Sequence, residues 1–359
     1  MPAEPRAVGP TAARGPGLRL AVAALAVALV AQPPAGATRL QPGLTAADTV
    51  ARAYDTILDA DFDAVPATLA RTCPPAPAVA CLGLRALATW WAIHLDPLDR
   101  SRDERFSTEV AAALAEAEAW TTREPGRAEA WFYLGAALGV RGQWRILRGE
   151  RLAAARDGKR IKDALDQALT LDPTMADASF GIGVYRYYAA MAPALFRWMR
   201  WLLLLPGGDR AGGLAMMERA RRDGRLVRDE AAFQLHLAYL WYERRFDDAL
   251  ALVRGLQARH PRNPLFPHLE AQILDVYFDD HAGSLAVSEA LATRARAGAV
   301  HQAGDALVRA ELNSAVQIDA LGDRDRARAR LDALLATTPT APVDAVRRAE
   351  QLRRAWARR

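Results

Sequence analysis

Along this chain of 359 residues, apolar positions recur at intervals of three and four. That spacing lays one stripe along an α-helix and leaves the opposite side polar. Val50, Ala53, Tyr54 and Ile57 form the first stripe, in a helix predicted from Thr45 to about Leu58. A shorter helix follows, beginning at Asp61 or Asp63 and reaching Arg71. Leu84, Leu87, Trp90, Trp91 and Leu95 mark a third, from Leu82 to Leu95. Asp96-Pro97 stops it, because the residue before a proline is pushed out of the helical region. A fourth is predicted from about Asp103 to Arg123. Alanine, leucine and arginine dominate and β-branched runs are scarce, which favours helices throughout.

Four helix ends carry one phrase: a small or β-branched residue, an apolar residue four positions on, and a proline twelve positions on. They read Ala113/Ala117/Pro125, Ile161/Leu165/Pro173, Ala249/Val253/Pro261 and Ala327/Leu331/Pro339. Beyond Pro125 come Trp131, Leu134 and Gly135, the W-x2-L-G opening of a 34-residue helix-turn-helix repeat. Counting Trp131 as position 4 puts Leu134 and Gly135 at positions 7 and 8, and Pro125 at position 32 of the preceding repeat. The same count from Pro173 puts Ile182 and Gly183 at positions 7 and 8. A large residue and a leucine one turn apart fill the space between paired helices, and a glycine lets their backbones approach.

The chain therefore resembles the tetratricopeptide repeat family. The resemblance implies an all-α fold of helical-hairpin repeats, a tetratricopeptide-like α-solenoid, as an irregular right-handed superhelix or a compact curved bundle. Irregularity is visible in the prolines, which lie 48, 88 and 78 residues apart instead of at multiples of 34. The first excess falls in Arg141 to Arg160, where one long helix from Gln143 is expected to run through Gly149 and Gly158. Each glycine there costs about 1 kcal/mol relative to alanine. The other excesses fall around Ala189 to Gly213 and near Thr293 to Gly304. The expected organisation is an export leader over 1–37, N-terminal hairpins over 38–100, repeats over 101–340 and a basic C-terminal helix over 341–359.

In the family, the first helix of each repeat lines a concave groove, with positions 2, 5, 9, 12 and 13 usually facing the ligand. Carried onto this sequence, the resemblance implies a partner-binding groove of Glu129, Phe132, Asp177, Phe180, Val184, Tyr187, Tyr188, Gln234, Ala238, Trp241 and Tyr242. Aromatic groups there would give large contact area at low entropic cost and suit an extended peptide or apolar segment. The open alternative is that several pack against neighbouring repeats. The implied role is a protein-binding scaffold or assembly adaptor, with a protein or peptide partner, no cofactor and no catalysis.

The ends place that role in a compartment. Arg6, Arg14 and Arg19 precede an apolar run from Leu20 to Ala31, and Ala35-Gly36-Ala37 offers a small-residue cleavage site. This is the pattern of a cleavable export signal, too short to span a bilayer comfortably. Without residues 1–37 the net charge falls from +5 to +3. So weak and dispersed an excess is no nucleic-acid footprint. The two cysteines, Cys73 and Cys81, are expected to form a disulfide in an oxidising compartment.

Other segments compete for a role. Residues 196–205, with Trp198, Trp201, Leu202 and Leu203, read either as an interfacial membrane-contact helix or as a buried helix of an elongated repeat. Pro206 to Gly213 lacks the lysine and strand of a phosphate-binding loop, so Asp209 reads as a helix cap. Asp279-Asp280-His281 reads as a helix start, and no metal-ligand spacing accompanies any histidine. His94 and His236 read as core or boundary groups. The basic run from Arg141 to Lys162 and the tail Arg347 to Arg359 read as solvated faces. An all-helical enzyme whose site assembles across repeats remains a further reading.

Overall fold

The computed structural model describes residues 43–191, 207–337, 339 and 341–358. The expected leader and the membrane-contact candidates Trp198, Trp201, Leu202 and Leu203 lie outside the described residues. Among the described residues there are fifteen α-helices, one π-helical turn and no strand. They are α1 (Ala47–Leu58), α2 (Val65–Thr72), α3 (Ala78–Leu95), α4 (Asp103–Arg123), α5 (Ala128–Leu147), α6 (Arg151–Leu171), α7 (Ala176–Met191) and α8 (Arg210–Asp223). Then follow α9 (Arg228–Ala238), the π turn (Tyr239–Glu243), α10 (Phe246–Arg259), α11 (Leu265–Phe278), α12 (His281–Arg296), α13 (Ala303–Ala320), α14 (Arg324–Ala336) and α15 (Val343–Ala357).

Each helix packs chiefly on its neighbours in sequence, and alternate helices also meet: α1, α3, α5, α7 and α9 in turn, then α11, α13 and α15. This is the two-layer arrangement of stacked helical hairpins, with the odd-numbered helices as one layer. The repeated phrase supplies the packing, since Ala113, Ala117, Leu165, Ala249, Val253, Ala327 and Leu331 are all buried. The Trp131 indole donates 2.8 Å to the carbonyl of Pro125, tying one repeat's opening to the preceding repeat's close. A methyl group on Gly135 would lie 2.4 Å from Leu165 Cδ2, and one on Gly183 would lie 2.8 Å from the Gly213 carbonyl. Both position-8 glycines are therefore sites of close helix approach, as the register requires.

Two sequence expectations fail around α5 and α6. No single helix runs through Gly149, which takes φ +83° and breaks the path between Leu147 and Arg151. Glycine reaches the left-handed region at no steric cost, so the chain reverses there and builds a hairpin of 20- and 21-residue helices. Nor is the start of the basic run solvated. Arg141 and Arg145 each place a guanidinium nitrogen 2.6 Å from the buried Asp157 carboxylate. Arg148 pairs with Asp103 at 2.7 Å and donates to the carbonyl of Pro97. These arginines pin α5 to α6 and to the start of α4. In the tail, α15 buries Ala345, Ala349 and Trp356.

The N-terminal hairpins lie against much later repeats. Asn263 Nδ2 donates 2.6 Å to the Leu58 carbonyl, and the Arg262 amide donates 2.9 Å to Asp59. The Val343 amide donates 2.8 Å to Asp96, and Arg309 donates to the Leu95 carbonyl at 2.6 Å. Helix α3 is long and apolar enough to cross a membrane, but 61% of it is buried inside the protein. Its Trp91 ring meets Phe233 and Phe266 at centroid distances of 5.0 and 6.4 Å. A disulfide joins Cys73, just past α2, to Cys81 in the first turn of α3. So short a loop gains about 2.5 kcal/mol by the chain-entropy estimate.

Candidate functional site

Between α1, α3, α5, α6, α7 and the start of α9 lies a cavity of about 640 Å³. Small residues make it. A methyl group added to Gly83 of α3 or Gly139 of α5 would have nothing within 4 Å. Close by, the same kind of residue does the opposite, since the Leu165 side chain fills the space over both Gly135 and Gly181. The cavity walls are apolar, with Val50, Leu84, Phe132, Val140, Phe180 and Val184 among them. Ile146 and Leu152, also on the lining, stay 67% and 46% exposed.

Polar groups are few. Tyr54 Oη donates 2.7 Å to Glu230 Oε2, and Gln234 Nε2 donates 3.1 Å to Gln143 Oε1. Burial raises the Glu230 carboxyl above its ordinary 4.5, opposed by hydrogen bonds from Tyr54, Gln234 and Gln143. Tyr133, only 7% exposed, is also on the lining, while its hydroxyl is itself buried and has no hydrogen-bond partner. Burial, with the Glu129 and Asp177 carboxylates nearby, pushes its pKa far above 10. Asp177 accepts the backbone N–H groups of Arg225, Leu226 and Val227 at 3.1, 2.7 and 3.0 Å, holding the turn into α9.

The residues named from the repeat register fall into three places. Phe132, Asp177, Phe180, Val184 and Tyr188 line the cavity. Glu129 is buried and accepts from the Thr45 amide and hydroxyl at 2.7 and 2.8 Å. Ala238 and Tyr187 are buried too, and Tyr187 Oη donates 2.7 Å to Glu243. Gln234 is buried beside the Glu230 end of the cavity. Trp241 and Tyr242 are 59% and 39% exposed on the π turn, where the Tyr242 ring meets Tyr187 and Tyr188.

Tyr54, Gly83, Tyr133, Gly139, Gln143 and Glu230 escaped the register. A signal existed for part of this set, because Gly135, Gly139 and Gly142 share one face of α5 by their spacing of four and three. Nothing local in the sequence marks Glu230 as buried.

Elsewhere, Asp55, Asp229 and His260 bring potential ligand atoms within 4.8 Å of one another. His260 Nε2 sits 2.7 Å from Asp229 Oδ2, and Arg259 pairs with the other oxygen at 2.7 Å. The guanidinium already neutralises that carboxylate, so the group is a structural ion pair. Asp209 and Asp280 both cap helices, accepting from the amides of Gly212 and Gly283 at 2.9 and 2.8 Å. His236 is fully buried, and burial lowers its pKa to about 4.

The architecture is thus an all-α array of tetratricopeptide-like hairpins, enclosing an apolar cavity along its odd-numbered helices. Among solved structures, the chain is similar to the C-terminal part of a tetratricopeptide repeat protein from Cytophaga hutchinsonii. The two share 14% identity with a TM-score of 0.40, over 83% of this chain and 99% of that one. It is also similar to a tetratricopeptide repeat protein from Parabacteroides merdae, with 13% identity, a TM-score of 0.37, and coverage of 85% and 98%. Yeast Tom70 gives 15% identity and a TM-score of 0.30, over 77% of this chain and 64% of that one. No family model matches the chain, and no curated protein matches it in sequence.

Proposed function

We propose that this protein is a non-catalytic binding scaffold, receiving an apolar segment of a protein partner along the inner faces of α5 and α7. The observation that carries the reading is the cavity of about 640 Å³. Its size lies within the range of specific binding sites, and apolar walls with a few placed polar groups are what such sites use. An assembly adaptor acting outside the cytoplasm fits the arginine-flanked apolar run before Ala37. It also fits the disulfide between Cys73 and Cys81, since such bonds persist in oxidising compartments.

The test is a photo-cross-linking residue at Ile146, which is exposed on the cavity lining. It is expected to capture a discrete partner in cells, and Val184→Arg, which puts a charge among the apolar walls, is expected to abolish capture. Equal capture by both proteins would remove the cavity from the interaction. Sequencing the N-terminus of the protein recovered from cells checks export, and an intact Met1 would count against it.

A further inference from the structure

We propose that the partner segment docks as an amphipathic α-helix, with its uncharged apolar face in the cavity and an acidic polar face beside Arg151. The inference rests on reading this cavity as the partner site, and it names the form and charge of what enters. Three observations carry it.

The first is shape. On α5 the lining residues Ala136, Gly139, Gln143 and Ile146 follow one another at intervals of three and four, one stripe along the helix. The stripe is half-buried from Ala136 to Gln143 and exposed at Ile146, so the cavity shallows into a trough toward the hairpin turn. That stretch is about 15 Å long, nearly three turns of helix. Three turns with their side chains fill about 1,200 Å³ at a diameter of about 10 Å. The cavity of about 640 Å³ holds roughly half of that. One face enters, and the other stays in water. Gly83 and Gly139, with nothing within 4 Å of an added methyl group, leave room for the large side chains of the entering face.

The second is the lack of hydrogen-bonding walls. An extended chain directs its N–H and C=O groups sideways, toward side chains such as Val140 and Val184 that have nothing to satisfy them. A helix bonds those groups within itself and presents only side chains, the mode by which amphipathic helices enter apolar grooves.

The third is charge. The buried carboxyls on the lining, Asp177 and Glu230, would repel an acidic side chain on the entering face. A basic one would find Asp177 already accepting three backbone amides and Glu230 accepting from Tyr54. An uncharged face meets neither conflict. At the rim the sign reverses, because Arg151 is exposed beside Leu152 and makes no ion pair among the described residues. A carboxylate on the solvent-facing side of the partner helix would pair with it.

The probe is a fluorescein-labelled peptide of about 14 residues, with leucine and alanine on one helical face and glutamate on the other, titrated with the full chain. One saturable site is expected, with the same peptide bound at least fivefold more weakly when lysine replaces glutamate, and at least tenfold more weakly with a central proline. Gly139→Leu fills the trough and is expected to weaken the glutamate peptide at least tenfold without lowering the melting temperature. Arg151→Glu is expected to erase the preference for glutamate over lysine. No saturable binding, equal affinity for the proline peptide, or an unchanged glutamate preference in Arg151→Glu would overturn the proposal. In cells, small diazirine side chains at Ala136 and Ile146 separate it from the scaffold reading. Marks about ten residues apart in one captured partner support the helix, whereas marks about four or five apart keep the scaffold and remove the helix. Capture that survives Val184→Arg removes the cavity as the partner site, and the inference falls with that reading.

Discussion

The two ends of α3 lie in opposite surroundings. Toward its C-terminus, Trp91 is 2% exposed and fills the space between Phe233 of α9 and Phe266 of α11. Toward its N-terminus, Gly83 faces the open cavity bounded by α5 and α7. The helix thus plugs the inner face of the later repeats and leaves that of the earlier ones empty. A tightly packed interior tolerates few voids larger than a water molecule. The filled half therefore displays the occupancy an inner face of this kind takes, and the empty half is where an external molecule can take the same place.

The contrast predicts unequal responses to mutation. Trp91→Ala removes the plug and is expected to cost about 3–5 kcal/mol in denaturant unfolding. A loss under about 1 kcal/mol would mean the filled end is no better packed than the open one.

Acid should strike the filled end as well. Burial holds the pKa of His236 down to about 4 against an ordinary 6.5. The unfolded chain takes up that proton first, so the stability present above pH 6.5 is lost as pH falls toward 4. His236 alone accounts for about 3 kcal/mol of that loss. His236→Leu is expected to flatten the dependence of unfolding free energy on pH across this window, and an unchanged slope would exclude His236 as its source.

At the open end the effects are small and of opposite sign. Gly139→Ala should stabilise by about 1 kcal/mol, since alanine is the better helix former and its methyl group meets nothing. Destabilisation on thermal melting would show the gap to be filled. The last effect concerns Glu230, whose folded-state pKa lies above its ordinary 4.5. The folded chain holds that proton more tightly, so its stabilising contribution is lost as pH rises above 4.5. Glu230→Gln, which keeps an acceptor for Tyr54, is expected to gain stability at pH 8 relative to parent and to lose the advantage at pH 4. The same advantage at both pH values would mean the carboxyl does not titrate in this range.

Much of the fold was legible in the sequence because helix-pair packing is written locally. The small and apolar residues before Pro125, Pro173, Pro261 and Pro339 are spaced to face a partner helix whatever lies beyond it. Trp131, Gly135 and Gly183 then set the register from one pair to the next. The site was legible only in part. Phe132, Phe180, Val184 and Tyr188 followed from repeat positions, whereas Tyr187 at a neighbouring position turned inward to Glu243. Gly149 was misread because periodicity alone cannot tell a glycine that bends a helix from one that a helix absorbs, as α6 absorbs Gly158.

By itself, then, the sequence determined the helices, their pairing and the hairpin register, since all three depend on residues within a few turns of one another. The tertiary structure alone decided which part of the inner face is filled. That depends on contacts between segments far apart in the chain, such as Tyr54 with Glu230 and Trp91 with Phe233 and Phe266. No local period encodes such distant meetings, so the same kind of glycine is a packing notch at position 135 and an open wall at 83 and 139.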